Sequence, residues 1–189
     1  ARYILGNLSG FDPNTALPFS EMEELDKWAV SEFNKLVAKV RDAYERYEYH
    51  IIYHGVHNFC AVEMSSFYLD VIKDRLYCDA EDSRSRRSAQ SAIFLILDGL
   101  VRLLAPILAF TAEEIWAAMP HRAGDDPESV LFNDMPDFNP EYVLPAERQA
   151  KWDKLLALRD DVNKALELAR AGKVIGKPLD AEITLYLDE

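Results

Sequence analysis

Cysteine and positive charge are both scarce in this chain. The two cysteines, Cys60 and Cys78, stand alone and outside any CxxC pair, which excludes a zinc knuckle and a disulfide framework and points to a reducing, cytoplasmic setting. No apolar run nears the roughly 18 residues that suggest a membrane span, and no signal peptide opens the sequence. Lysine and arginine total 21 against 33 acids, a formal net charge of −12, so encounter with a polyanion is slowed overall. The shortage is uneven. Between Glu113 and Glu147 nine acids face one base, Arg122, whereas Ser83 to Leu97 holds three arginines and no acid. A local patch of that kind can still bind phosphate.

Apolar residues make up 49% of the 189, enough for one substantial domain with a smaller appendage. The chain opens on Ala1, and Arg2 to Gly6 reads like the end of a helix already under way, as in a piece of a larger protein. Ser20 with Glu23 reads as a capping box. Behind it Met22, Leu25, Ala29, Phe33, Leu36, Val40, Tyr44 and Tyr47 recur every three or four residues, one stripe of a long amphipathic helix. Tyr49 to Met64 predicts a second helix with Gly55 as its weak point, and Ser65 or Ser66 caps a third that ends near Tyr77. Ala80 to Ser83 is the link. A long helix follows from about Ser85 and is ended or kinked by Pro106. Thr111 and Glu114 predict another capping box, with Phe110 and Ile115 at the positions of a hydrophobic staple.

Pro120 to Pro145 reads as a loop region carrying the acid run, with Ser129 to Phe132 as a short extended piece. Pro145 suits a first helical turn. Trp152, Leu155, Val162, Leu166 and Ala169 keep a helical face, and Gly172 is placed to cap it. Alternation from Ala181 to Leu187 predicts a strand. The expected fold is mainly α. An antiparallel helical bundle spans 1–120 and an acidic loop or linker 121–144. A helix and strand over 145–189 begin a small, incomplete α+β module.

Candidate chemistry is sparse. His50, His54 and His57 share one helical face, a spacing that can hold zinc; the competing reading is three half-buried histidines. Gly172 to Lys177 resembles a phosphate loop but has one residue too few between its glycines and Pro178 where Ser or Thr belongs. Asp70, Lys73 and Asp74 fall within one turn, as a carboxylate pair or as ordinary surface ion pairs. No nucleophile–base arrangement is legible. The basic set says more. Lys73 and Arg75 end one helix and Arg84, Arg86 and Arg87 begin the next, so a tight hairpin gathers five cations. Tyr68, Tyr77 and Gln90 add stacking and base-edge hydrogen bonding, the means by which RNA loops are read. The plain alternative is a set of solvated cations complementing a helix dipole.

Ser66 to Asp70, Lys73 to Tyr77, Arg86 to Gln90, and Leu104 to Pro106 through Glu113 to Trp116 resemble the anticodon-binding bundle of class I aminoacyl-tRNA synthetases. They are most like its bacterial-type isoleucyl members, with the valyl enzymes as nearest siblings. Leu25 to Ala29, Tyr44 to His50, Leu166 to Arg170 and Lys173 to Leu179 carry the same resemblance, so nearly the whole chain is covered in order. It implies a tRNA-gripping fragment of an isoleucine–tRNA ligase, with tRNA(Ile) and the rest of the synthetase chain as partners and neither membrane nor DNA. ATP with magnesium would serve the parent enzyme, and zinc a cysteine-rich module further along in many relatives; this fragment needs no cofactor. The family's His-Ile-Gly-His and Lys-Met-Ser-Lys-Ser signatures are absent, and His54-Gly55-Val56-His57 does not replace the first. Expected RNA contacts are Lys73, Arg75, Arg84, Arg86 and Arg87 for phosphates, Tyr77 and Gln90 for bases, and Lys173 and Lys177 from the second module. Leu104, Pro106, Phe110, Ile115 and Trp116 are expected to carry packing alone. A non-enzymatic acidic interaction module and a histidine-ligated metalloenzyme are the rival readings.

Overall fold

The structure, a computed structural model, describes residues 1–186; they divide into two compact units, Ala1–Leu144 and a second that begins at Pro145. The first unit opens with α1 (Arg2–Asn7) and two 3-10 turns, then α2 (Glu24–Glu45), whose buried stripe includes Ala29, Phe33, Leu36 and Val40. The Ser20–Glu23 capping box is not formed. Ser20 lies in the 3-10 turn Phe19–Glu21, α2 begins only at Glu24, and the Glu23 amide donates instead to the Ser88 hydroxyl at 2.8 Å. Nor does the stripe reach Tyr47: α2 stops at Glu45, and Tyr47 adopts a left-handed φ of 59° that turns the chain back.

The returning arm is longer than the sequence suggests. α3 (Tyr49–Asn58) runs without a break into a π-helical stretch, Phe59–Tyr68, followed by α4 (Leu69–Val71) and α5 (Lys73–Cys78). Ser65 and Ser66 cap nothing; their hydroxyls donate to the carbonyls of Cys60 and Val62 inside the π stretch. The wider turn buries Phe59, Met64, Phe67 and Tyr68 on α2. Tyr44 meets Tyr49, Gly55 meets Leu36, and Phe33 meets Phe59, an antiparallel order. Gly55 is a close-approach point, since a Cβ there would lie 3.2 Å from Leu36 Cδ1.

Ser83 then caps α6 (Arg84–Leu104), its hydroxyl accepting from the Arg86 amide at 3.1 Å. The helix runs parallel to α2: Asp26 pairs with Ser88, Phe33 with Gly99 and Tyr44 with Leu103. Gly99 leaves no room for a side chain, a Cβ falling 2.5 Å from the Phe33 ring. α6 ends at Leu104, as Pro106 requires. α7 (Ala109–Ala118) restarts two residues before the expected cap, with Thr111 inside it. Phe110 is 90% exposed, so it makes no staple and carries no packing. Glu113 accepts instead from the Ser129 hydroxyl and the Val130 amide.

The segment 121–144 is acidic and loop-like but packed. Val130–Phe132 is a 3-10 turn rather than an extended piece, Pro140–Tyr142 is a second such turn, and Val130 and Leu144 are buried. Asp98, Arg102, Arg122 and Asp125 pin it to α6, with Arg102 bonding Asp98 at 2.9 Å and Asp125 at 2.7 Å and lying over Trp116. Those arginines take up part of the acid run.

In the second unit α8 (Ala146–Ala171) follows Pro145, which sits at the cap rather than in the first turn. Gly172 is its C-cap residue, but the left-handed position is Lys173, with φ 57°. No strand forms among the described residues. Ala181 to Tyr186 is irregular, and Leu187 lies outside them. Alternation gives a segment two faces but no pairing partner: Ile183 and Leu185 instead line an apolar groove of about 680 Å³ with Val162, Leu166 and Ala169.

Candidate nucleic-acid interface

The α5–α6 turn brings the basic residues into one neighbourhood and then divides them. Arg75 faces inward. Its Nη1 and Nη2 donate to Asp26 at 3.1 and 2.6 Å, and its Nε and Nη2 to the hydroxyl and carbonyl of Ser85 at 2.9 and 2.6 Å. Asp26, fully buried, also accepts from the Tyr68 hydroxyl at 2.7 Å and from Ser88. Burial alone would depress the Arg75 guanidinium, but the hydrogen bond and charge of Asp26 raise it above its ordinary value. Burial, then the Asp26 charge, pushes the Tyr68 phenol well up. A carboxylate with four donors around it is satisfied. The cluster ties α2, the π stretch, α5 and α6 together.

Gln90 faces inward too. It is 1% exposed, donating to the Asn7 carbonyl at 2.9 Å and accepting from Arg87 at 3.0 Å, so its amide is spent on α1. Arg87 also reaches the Gly10 carbonyl at 3.3 Å, and Arg86 the Asp79 carbonyl at 3.2 Å; both are half-buried. Lys73, Tyr77 and Arg84 remain on the outside. Lys73 holds Asp70 at 2.5 Å, the hydrogen bond and charge raising its pKa, which makes the Asp70–Lys73 pair a surface ion pair. Arg84 is 3.4 Å from Glu21 with most of its side chain in solvent. The exposed Tyr77 phenol oxygen accepts a 3.4 Å hydrogen bond from Asn7, and that bond with one from Tyr3 lowers its pKa.

Lys173 and Lys177 are exposed on the turn after α8. This turn is not a phosphate cradle. The Gly176 and Lys177 amides that would face an anion donate to Asp180 at 3.2 and 2.7 Å. The three histidines are neither half-buried nor gathered as ligands: all are exposed on α3, and no metal-binding group of three or more ligands occurs among the described residues. Tyr53 lies among them, 64% exposed, its ring 5.1 Å from His54 and 5.9 Å from His57. The sequence signal was present in the recurrence of Tyr49 and Tyr53 with the histidines, away from the buried Ile52. No helix among the described residues is long and apolar enough to cross a membrane.

Comparison with known proteins gives this arrangement a context. The family model for the anticodon-binding domain of tRNA ligase matches residues 26–185. The isoleucine–tRNA ligase of Syntrophotalea carbinolica is 56% identical over 186 residues, 98% of this chain and 20% of that protein. Those of Desulforamulus reducens and Geobacter sulfurreducens are 50% and 49% identical over 188 and 185 residues, 99% and 97% of the chain and 20% of each protein. The chain thus spans about a fifth of the length of the curated relatives it matches.

Proposed function

The chain belongs to the anticodon-binding domain family of tRNA ligases, and from that premise we propose that it grips the anticodon stem and loop of tRNA(Ile) for an isoleucine–tRNA ligase. The observation that carries the reading is the near-complete coverage of this chain by enzymes of that name at up to 56% identity. In this reading the parent enzyme charges the tRNA with isoleucine using ATP and magnesium at sites outside this chain, in the cytoplasm. The bundle of residues 1–120 supplies recognition and no catalysis. The stretch from 145 begins a second module, which offers Lys173 and Lys177.

The geometry supports a division of labour at the α5–α6 turn. Lys73 and Arg84 are available to phosphates and Tyr77 to a base, because phosphate contacts position while base contacts specify. Arg86 and Arg87 hold the turn to its neighbours through the carbonyls of Asp79 and Gly10. Arg75 and Gln90 act from inside by fixing the turn. The test is a titration of the 189-residue chain with isoleucine and valine anticodon stem-loops at two salt concentrations. Preference for the isoleucine loop, weakening as salt rises, is the expected result. Absence of binding even at low salt overturns the reading in favour of an acidic protein-interaction module.

A further inference from the structure

α3 spends its inner face on α2 and leaves its outer face unexplained. Ile52 is buried and Gly55 lies against Leu36, while Tyr49, His50, Tyr53, His54 and His57 point to solvent. Tyr53 is stacked on His57 at an interplanar angle of 29° and set edge-on to His54 at 69°. Neither the Tyr53 phenol nor any of these imidazoles makes a side-chain hydrogen bond among the described residues, so a phenol and three imidazoles keep their polar atoms for something else. Just before them Tyr47, 77% exposed, is held outward by its left-handed backbone. Beside them a groove of about 260 Å³ between α2 and α3 is lined by Glu32, Lys35, Lys39, Asn58 and Glu63; Lys35 is paired with Glu32 and Asn58 donates to Glu63, while Lys39 is an exposed cation with no acid partner among the described residues.

Exposed aromatic rings are the costly choice in water, and these are arranged rather than scattered. They are polar-edged rings with one cation alongside that has no acid partner among the described residues, Lys39, not the aliphatic surface of a protein-docking seam. Unpaired nucleotides are recognised by such a set: bases stack on flat rings, ring nitrogens and hydroxyls meet base edges, and a lysine meets the phosphate. We propose that the outer face of α3 is a base-stacking platform for unpaired nucleotides of the bound RNA, centred on Tyr53 and His57 with Lys39 as its phosphate contact. It is separate from the basic turn between α5 and α6. The inference rests on the anticodon-binding reading and adds a second surface to it.

The experiment titrates the 189-residue chain with an isoleucine anticodon stem-loop carrying 2-aminopurine at an unpaired loop position, and separately with oligoadenylate. Tyr53→Ala should weaken stem-loop binding roughly 5- to 100-fold and remove the 2-aminopurine fluorescence change, while Tyr53→Phe, which keeps the ring, binds like the unaltered chain. His57→Ala should weaken binding in the same direction. Circular dichroism should be unchanged, since Tyr53 is exposed. If the unaltered chain binds and Tyr53→Ala binds equally well, the platform is overturned and the anticodon reading survives, with the α3 face then left to a protein partner. If the stem-loop does not bind, the anticodon reading fails; the platform fails with it unless oligoadenylate binds and Tyr53→Ala abolishes that binding.

Discussion

Arg75 and Arg84 flank the same turn and have identical side chains, yet one lies inside the molecule and the other outside. Arg75 is 19% exposed and held at both ends of its guanidinium by a fully buried carboxylate and by Ser85; Arg84 is 68% exposed beside Glu21. What separates them is the far side of the bundle. Asp26 on α2 and Ser88 on α6 create a polar hole in an otherwise apolar seam, and only a cation that can donate from three nitrogens in a plane fills it. The lesson is that a run of arginines in sequence is not a charged surface until each has been assigned a partner.

The sharpest way to break that contrast is to remove the inner partner. Asp26→Ala leaves the Arg75 guanidinium buried without its carboxylate and strips an acceptor from Tyr68 and Ser88. It should cost about 3–5 kcal/mol of stability, read as a lowered denaturant midpoint. A midpoint within experimental error of the unaltered chain would mean Arg75 is not held as described. Tyr68→Phe trims one donor from the same carboxylate and should cost about 1–2 kcal/mol, with no effect on RNA affinity beyond that of lost folding.

A second inner cluster sharpens the comparison through pH. Burial would raise the Asp125 carboxyl, but the hydrogen bond and charge of Arg102 and the Arg122 amide hold it below its ordinary 3.8. A depressed carboxyl stabilises the fold above that value and loses its contribution as pH falls through the folded value. Asp98 has the opposite sign, raised by burial against the pull of Arg102 and Arg122, so its contribution is present at low pH and lost as pH rises. The unaltered chain should therefore lose more stability between about pH 5 and pH 3 than Asp125→Asn does, measured as Tm across that range. Parallel acid profiles would show that the 121–144 segment is not pinned through Asp125.

These clusters also mark where reading from sequence stops. α2, α6 and α8 follow from the spacing of their apolar residues, the end of α6 from Pro106, and the α5–α6 turn from its acidic link, while the start of α6 lies one residue before the expected Ser85. Two capping boxes fail because a motif names side chains, whereas a cap needs the residue that immediately precedes the first helical turn; Ser20 lies four residues before the start of α2, and Thr111 lies inside α7. The π stretch is invisible because its hydrogen-bond register leaves no period that apolar spacing alone distinguishes from an α-helix. From sequence Arg75 reads as one more cation of the turn because its partner, Asp26, is 49 residues away, and only packing brings them together. Arg84 is no easier to place, its partner Glu21 lying 63 residues away, whereas Lys73 meets Asp70 three residues before it.

Arg84→Ala is the smallest perturbation of the fold and the most telling for its purpose. Its ion pair with Glu21 spans 3.4 Å between two exposed side chains, and pairs of that kind contribute under about 0.5 kcal/mol. The denaturant midpoint should barely move. If Arg84 meets a phosphate, RNA affinity should fall for isoleucine and valine stem-loops alike, and the magnitude of the salt slope should drop by about one. A uniform loss with a shallower slope assigns Arg84 to phosphate and leaves specificity to bases read elsewhere. A loss confined to the isoleucine loop would instead make it a base contact. An unchanged titration would leave the outer side of the turn, like the inner, without RNA.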